Sequence, residues 1–276
     1  MPAPILISLL QGFRVMLYST IKVATYKNPI CAAFSAVLLL STTSCVSTTA
    51  TTLQKSGNIT TIDTSDYCQS QDLKATYKNQ NSQQRAMSCM LAELQHYQQK
   101  DKTAQQQYFA YKAQAWLNYA IHKDSMNSRS PAGLEAAKSA EAILQALKKG
   151  SENDLVLIQN ISASSALMRP DLWATLSALK DSGGIASAPR EIAFSEVALI
   201  WAATDQCEHN SRQAGSQFRM ADRWLEQARE AFVNAHNSKE NVALEGLIVR
   251  YYEQYSPFDA SGERCNGQVL PTLDQM

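Results

Sequence analysis

Residues 216–235, SQFRMADRWLEQAREAFVNA, decide the fold class. Phe218, Ala221, Leu225, Ala228, Phe232 and Ala235 recur at i, i+3, i+7, i+10, i+14 and i+17. That period lays them along one side of an α-helix. Arg219, Asp222, Arg223, Glu226, Arg229 and Glu230 fill the other side and read as a solvated face.

Working outward, helical patterns continue in both directions. Residues 189–208 carry two apolar lines, Phe194, Ala198 and Trp201 beside Ala193, Val197, Ile200 and Cys207, which predicts a buried helix. Pro170–Lys180 holds Leu172, Trp173, Leu176 and Leu179 and is stopped by Asp181-Ser-Gly-Gly184. Ser130 is a good N-cap and Pro131 a good first residue for a helix with stripe Leu134, Ala137, Ala140, Leu144 and Leu147. Lys148 and Lys149 suit the negative end of its dipole, and Gly150 suits the position just past its end. Residues 103–123 carry Phe109, Ala113, Trp116 and Ala120 next to Tyr108, Tyr111, Ala115 and Tyr119, an apolar face wide enough to pack on two sides. Residues 82–100 place Met87, Met90, Leu91 and Leu94 together, with a break near Asp101.

Residues 151–169 read as a loop with a short helix. Gly246–Tyr252 (GLIVRYY) reads equally as a short strand or as helix, inside an irregular tail. The expectation is an all-α domain over 67–276 built from antiparallel helical hairpins, TPR-like or bundled, with one short strand near the C-terminus as an option. At a shift of 85 residues, Ala113, Trp116, Ala136 and Glu141 fall on Ala198, Trp201, Ala221 and Glu226, a faint echo of a duplicated hairpin.

Composition agrees with a packed body. Of 276 residues 45% are hydrophobic, which excludes wholesale disorder. Ten glycines and eight prolines are few for a turn-rich β-sandwich. The net charge is zero, which removes the footprint of a nucleic-acid binder.

The N-terminal segment is an address. Residues 1–45 contain Arg14, Lys22 and Lys27 and no acidic residue. The apolar run Ile30–Leu40 (ICAAFSAVLLL) is followed by Ser-Thr-Thr-Ser-Cys45. A basic start, a short apolar run and small residues make a secretory signal over 1–44. The run is short of the roughly 20 residues a membrane span needs. The basic segment is long, and either Met1 or Met16 serves as its start. The signal's end resembles a bacterial lipoprotein lipobox, in which the Cys becomes the acylated first residue. Thr42 departs from the Leu, Val or Ile that such a box prefers three residues before the Cys. Ordinary cleavage after Ser44 or Ala50 is the alternative. Ten of residues 46–65 are Ser or Thr, so 45–66 reads as a lipidated Cys with a flexible tether. Val46, rather than Asp, implies by the same resemblance an outer-membrane address facing the periplasm. Losing 1–45 removes three basic residues and no acidic ones, leaving a net charge of −3.

Cys68, Cys89, Cys207 and Cys265 follow Cys45. An even number in an exported chain suggests two disulfides. Three pairings exist; Cys68–Cys89 and Cys207–Cys265 join sequence neighbours and are preferred. No CxxC and no paired-His spacing supports a zinc site, and no metal or other cofactor is expected.

Lys112-Ala-Gln-Ala-Trp-Leu-Asn-Tyr-Ala120, the Ala-rich helix to Gly150, Leu167–Lys180 with Arg169-Pro-Asp-Leu-Trp173, and Glu196–Ala202 succeed one another. This order resembles the helical N-terminal region of certain proteobacterial OmpA-family envelope proteins, over about 105–235. In that family a peptidoglycan-binding domain of about a hundred residues often follows. Only about forty residues follow position 235 here, so its binding residues have no counterparts. The resemblance implies an envelope protein and assigns the helices no chemistry.

No HExxH, GxSxG, GxxxxGK[ST] or GxGxxG is present, so no catalytic residue is nominated and an enzyme is not expected. His96, His122, His209 and His236 are scattered and read as surface or helix-end residues. Glu208 beside Cys207 raises an activated thiol, for which the disulfide is the preferred reading. The tryptophans fall at core positions. A groove lined by Tyr108, Tyr111 and Tyr119, with Tyr251, Tyr252 and Tyr255 as further members, is the one candidate ligand surface. The expected function is a non-enzymatic, lipid-anchored helical scaffold or interaction module with an envelope protein as partner. The alternative is a periplasmic binding module for a small molecule or cell-wall fragment, with a concave aromatic pocket.

Overall fold

The computed structural model describes residues 67–68, 71–126, 130–157, 160–209, 212–258 and 265–271. All lie in one compact unit, Gly57–Met276. Cys45, the signal and the tether fall outside the described residues.

The described chain is all-α. Its helices are α1 (Gln71–Thr76), α2 (Ser82–Tyr97), α3 (Ala104–Ser125), α4 (Ala132–Lys149), α5 (Pro170–Asp181), α6 (Pro189–His209), α7 (Arg212–Ala235) and α8 (Ser238–Tyr255). Local chemistry sets the ends. The Asn81 side chain caps α2 by accepting from the Gln84 amide. Thr103 and Gln106 form a reciprocal capping box on α3. Gly150 ends α4 at φ 67°, a left-handed turn that costs glycine nothing. Pro131 itself holds the N-cap position of α4, one residue later than Ser130, whose hydroxyl accepts from the Ala132 amide at 3.1 Å.

The tail overturns the strand option. Gly246–Tyr252 is helix, part of α8. A capping box between Asn237 and Glu240 starts this helix, and Leu244, Tyr251 and Tyr255 bury at helical spacing. Among the described residues the one β-type pairing is an isolated antiparallel bridge, Ile161 with Gln268. Helix α1 has no counterpart in the sequence reading, and the 151–169 loop does contain a short 3-10 turn, Glu152–Asp154.

α3 is the spine, packing against α2, α4 and α6. α6 packs in turn on α3, α5 and α7, and α5 packs on α8. Trp173, Tyr108, Tyr119, Phe109, Phe232 and Leu117 are among the fully buried side chains. Burying such groups is the main favourable term, about 1.5–3 kcal/mol for each large apolar side chain.

Two disulfides tie the periphery to this core. Cys68–Cys89 holds the chain before α1 onto α2. The Tyr67 hydroxyl donates to Glu141 of α4 at 2.7 Å and accepts from Gln145 at 2.7 Å. Cys207–Cys265 brings the tail back to α6 across 58 residues of sequence. Closing loops of this size removes unfolded-state entropy, typically about 2–4 kcal/mol. The Ile161 and Gln268 backbones then exchange hydrogen bonds at 2.9 and 3.0 Å, and Gly267 donates to Ser165 at 3.0 Å. The tail therefore pins residues 161–165 in place.

Candidate functional site

Five side chains of α3 recur on one side of the helix at spacings of three and four: Tyr108, Lys112, Trp116, Tyr119 and Lys123. Their surroundings divide into two buried charge clusters with a cavity between α3 and α4.

The first cluster joins α3, α5 and α6. Glu196 of α6 is fully buried and lies between two lysines. Lys112 Nζ is 3.1 Å from its Oε2, and Lys180 Nζ is 2.7 Å from its Oε1. The Tyr108 hydroxyl donates to Glu196 as well. Lys112 Nζ lies 3.5 Å from the Tyr108 oxygen, and Lys180 Nζ donates to the Leu157 carbonyl at 2.7 Å. Both lysine side chains are under 5% exposed. Burial pushes the Glu196 carboxyl up, but the two ammonium groups outweigh it and hold the group at about 2. Burial pulls Lys180 down to about 8 against the opposing pull of Glu196. Burial and the neighbouring carboxylate push the Tyr108 phenol well up. The cluster sets two lysines against one contacting carboxylate.

A cavity of about 300 Å3 opens beside it. Among the described residues its walls are Phe109, Lys112 and Trp116 of α3, Ser139 and Ile143 of α4, and Leu155, Val156 and Asn160 of the loop. A smaller space of about 60 Å3 shares Trp116, Ser139 and Asn160 and reaches Tyr119 and Thr204. The Trp116 indole is 5% exposed, and its Nε1–H has no hydrogen-bond partner among the described residues. A buried donor left unpaired costs about 1–3 kcal/mol. The wall thus combines apolar surface, one ammonium-bearing side chain and one orphan N–H donor.

The second cluster joins the far end of α3 to α6. Lys123 Nζ meets Asp205 Oδ1 at 2.7 Å and Glu208 Oε2 at 2.8 Å. Trp201 Nε1 donates to the other Asp205 oxygen at 2.8 Å, and the Ser130 hydroxyl donates to Glu208. Burial pulls Lys123 down, but its bonds to the two carboxylates outweigh this and raise its pKa. Gly133 of α4 makes room for the Lys123 stem, since a Cβ there would lie 2.9 Å from Lys123 Cβ. This cluster is closed by protein groups on every polar atom named.

Tyr108 and Tyr119 are buried, one on Glu196 and one at the smaller space. Tyr111 is half-buried and faces Phe194 of α6, 6.5 Å between ring centres. The three tyrosines therefore do not line one groove. Tyr251 and Tyr255 sit on α8 against α5, bonded to Asp181 and Ser177. Tyr252 is exposed. His96 lies against Tyr97 and His122 against Trp201, and His236 accompanies Phe232; the His209 side chain is outside the described residues. The four cysteines are paired as preferred, so Cys207 is not a free thiol. Among the described residues no group of His, Cys, Asp and Glu is placed to hold a metal. None of the described helices is long and apolar enough to cross a membrane.

Lys112, Lys180 and Glu196 were not singled out as a site from sequence. The available signal was a charge inside an apolar stretch: Glu196 in AFSEVALI and Lys112 between Tyr111 and Ala113. No protein-family model, no curated protein and no solved structure matches this chain.

Proposed function

We propose that this chain is a non-enzymatic, lipid-anchored protein of the bacterial envelope. In this reading acyl chains on Cys45 hold it at the outer membrane. Its helical body faces the periplasm as an interaction module for another envelope protein. The observation that carries the reading is the cysteine pairing. The four cysteines after Cys45 close two disulfides among themselves, the pattern of an oxidising compartment. None of them needs Cys45 as a partner. The lipobox-like SerThrThrSerCys45, the Ser/Thr-rich tether and the OmpA-family likeness over 105–235 support the same address. α8 leaves Val242, Val249 and Tyr252 exposed along one side, apolar surface of the kind a protein partner covers.

The test is intact mass and detergent-phase partition of the native protein beside a Cys45→Ala variant. The expected result is a mature chain that starts at Cys45 with added acyl mass, and a variant that moves to the aqueous phase. A native chain with a free N-terminus in the aqueous phase would overturn the anchor.

A second reading is favoured by one observation. The cavity at Lys112 and Trp116 has the size and wall chemistry of a small-molecule site, which supports a periplasmic binding module.

A further inference from the structure

We propose that the cavity between α3, α4 and the loop residues Leu155, Val156 and Asn160 binds a small monocarboxylate with an apolar body. The inference rests on the second reading above and is independent of whether Cys45 is acylated.

Size comes first. About 300 Å3 lies at the lower end of ligand-site volumes and admits a compact molecule rather than a polymer. Phe109, Trp116, Ile143, Leu155 and Val156 supply apolar walls, which select against sugars and other ligands polar on every side.

Charge selects the head group. Among the described residues Glu196 is the only carboxylate in contact with Lys112 and Lys180. At contact distance two ammonium groups face one carboxylate, and the exposed Asp181 acts on Lys180 only from further off, which leaves excess positive charge in a low-dielectric interior. One further carboxylate makes the cluster two against two. A cationic ligand would add to the imbalance, and a doubly charged anion would reverse it.

The donors match. Lys112 has three N–H donors, and its protein partners are Glu196 Oε2 and the Tyr108 oxygen. Trp116 follows one turn later on the same side of α3 and carries the buried, unpartnered Nε1–H. An ammonium and an indole N–H present donors only, and a carboxylate is an acceptor only. The second cluster shows the contrast, since there the Trp201 indole N–H already has its carboxylate, Asp205.

The test uses the full-length chain in lipid nanodiscs, with empty nanodiscs as blank. Calorimetric titrations compare phenylacetate, its neutral amide phenylacetamide, the cation phenethylamine, and acetate. Phenylacetate should bind saturably and about tenfold or more tighter than the amide, as expected of a charge-assisted bond. Acetate should bind more weakly for lack of an apolar body, and phenethylamine should not bind. Lys112→Met should abolish the preference for acid over amide. This variant leaves Lys180 and Glu196 as a balanced pair. Trp116→Phe keeps the packing, removes the N–H, and should weaken phenylacetate severalfold. Equal binding of acid and amide, an unchanged preference in Lys112→Met, or no saturable binding up to millimolar concentration would each overturn the proposal. Should Lys112→Met fail to fold, the acid–amide comparison and Trp116→Phe still decide it.

Discussion

The two buried clusters along α3 are built from the same parts and balanced in opposite ways. At one end Lys112 and Lys180 share the single carboxylate of Glu196. At the other, Lys123 serves two carboxylates, Asp205 and Glu208. Both link α3 to α6, so both fix the register of that helix pair. Indole N–H groups separate them further. Trp201 gives its proton to Asp205, whereas Trp116 gives its proton to nothing described. Each lysine has two protein partners, so the clusters differ in their carboxylate count and their indoles. A cavity lies next to the Lys112 cluster. A buried ion cluster is weak evidence of stability in itself, because desolvation offsets most of its attraction. Both clusters hold the register, and the Lys112 cluster also has capacity for a ligand.

The largest expected effect is at Glu196. Glu196→Gln leaves two buried ammonium groups without a counter-ion and should destabilise the fold by about 3–5 kcal/mol in denaturant titrations. A loss under 1 kcal/mol, on the scale of an exposed ion pair, would show that water reaches the cluster.

Acid should weaken the Glu196 cluster. The Glu196 carboxyl is held at about 2, below its ordinary 4.5, so its contribution is full above pH 4.5 and is lost as pH falls toward 2. The difference corresponds to about 3 kcal/mol. Lys180 acts in the other direction. Its value of about 8 lies below the ordinary 10.5, so its charged form costs stability below pH 8. Stability should recover as pH rises from 8 toward 10, before unfolded tyrosines ionise. A flat profile between pH 8 and 10 would argue that Lys180 is solvated.

Asp205→Asn should be milder, about 1–2 kcal/mol, because Lys123 keeps Glu208 and the asparagine oxygen still accepts from Trp201. A loss as large as that of Glu196→Gln would contradict the contrast between the clusters.

Much of the fold is legible in the sequence because helix faces and helix ends are local. The Phe218-to-Ala235 stripe, Lys148-Lys149-Gly150 and the two neighbour cysteine pairs needed no distant information. Gly246–Tyr252 was ambiguous because Ile, Val and Tyr suit strands as well as helices. The deciding signal lay earlier, in Asn237 and Glu240, whose reciprocal bonds at 3.1 Å start α8. The site was less legible. Lys112, Lys180 and Glu196 come from three helices and up to 84 positions apart, and only packing brings them together. A charge within an apolar stretch marks Glu196 and Lys112, but pairing partners are not a local property. The tyrosines failed as a groove for a related reason. Side chains at 108, 111 and 119 all meet α6, at Glu196, Phe194 and Trp201, and two of them are fully buried there.

The most direct measurement is the thermal midpoint of Lys112→Met beside the wild-type chain, each with and without phenylacetate. If the extra cation is kept for binding, the variant melts at or above the wild-type temperature, since it removes an unmatched buried charge. Phenylacetate then raises the midpoint of the wild type by more than that of the variant, on which it acts no better than phenylacetamide. A variant that melts several degrees lower, together with a ligand shift equal in both proteins, would contradict it and make Lys112 a structural charge only.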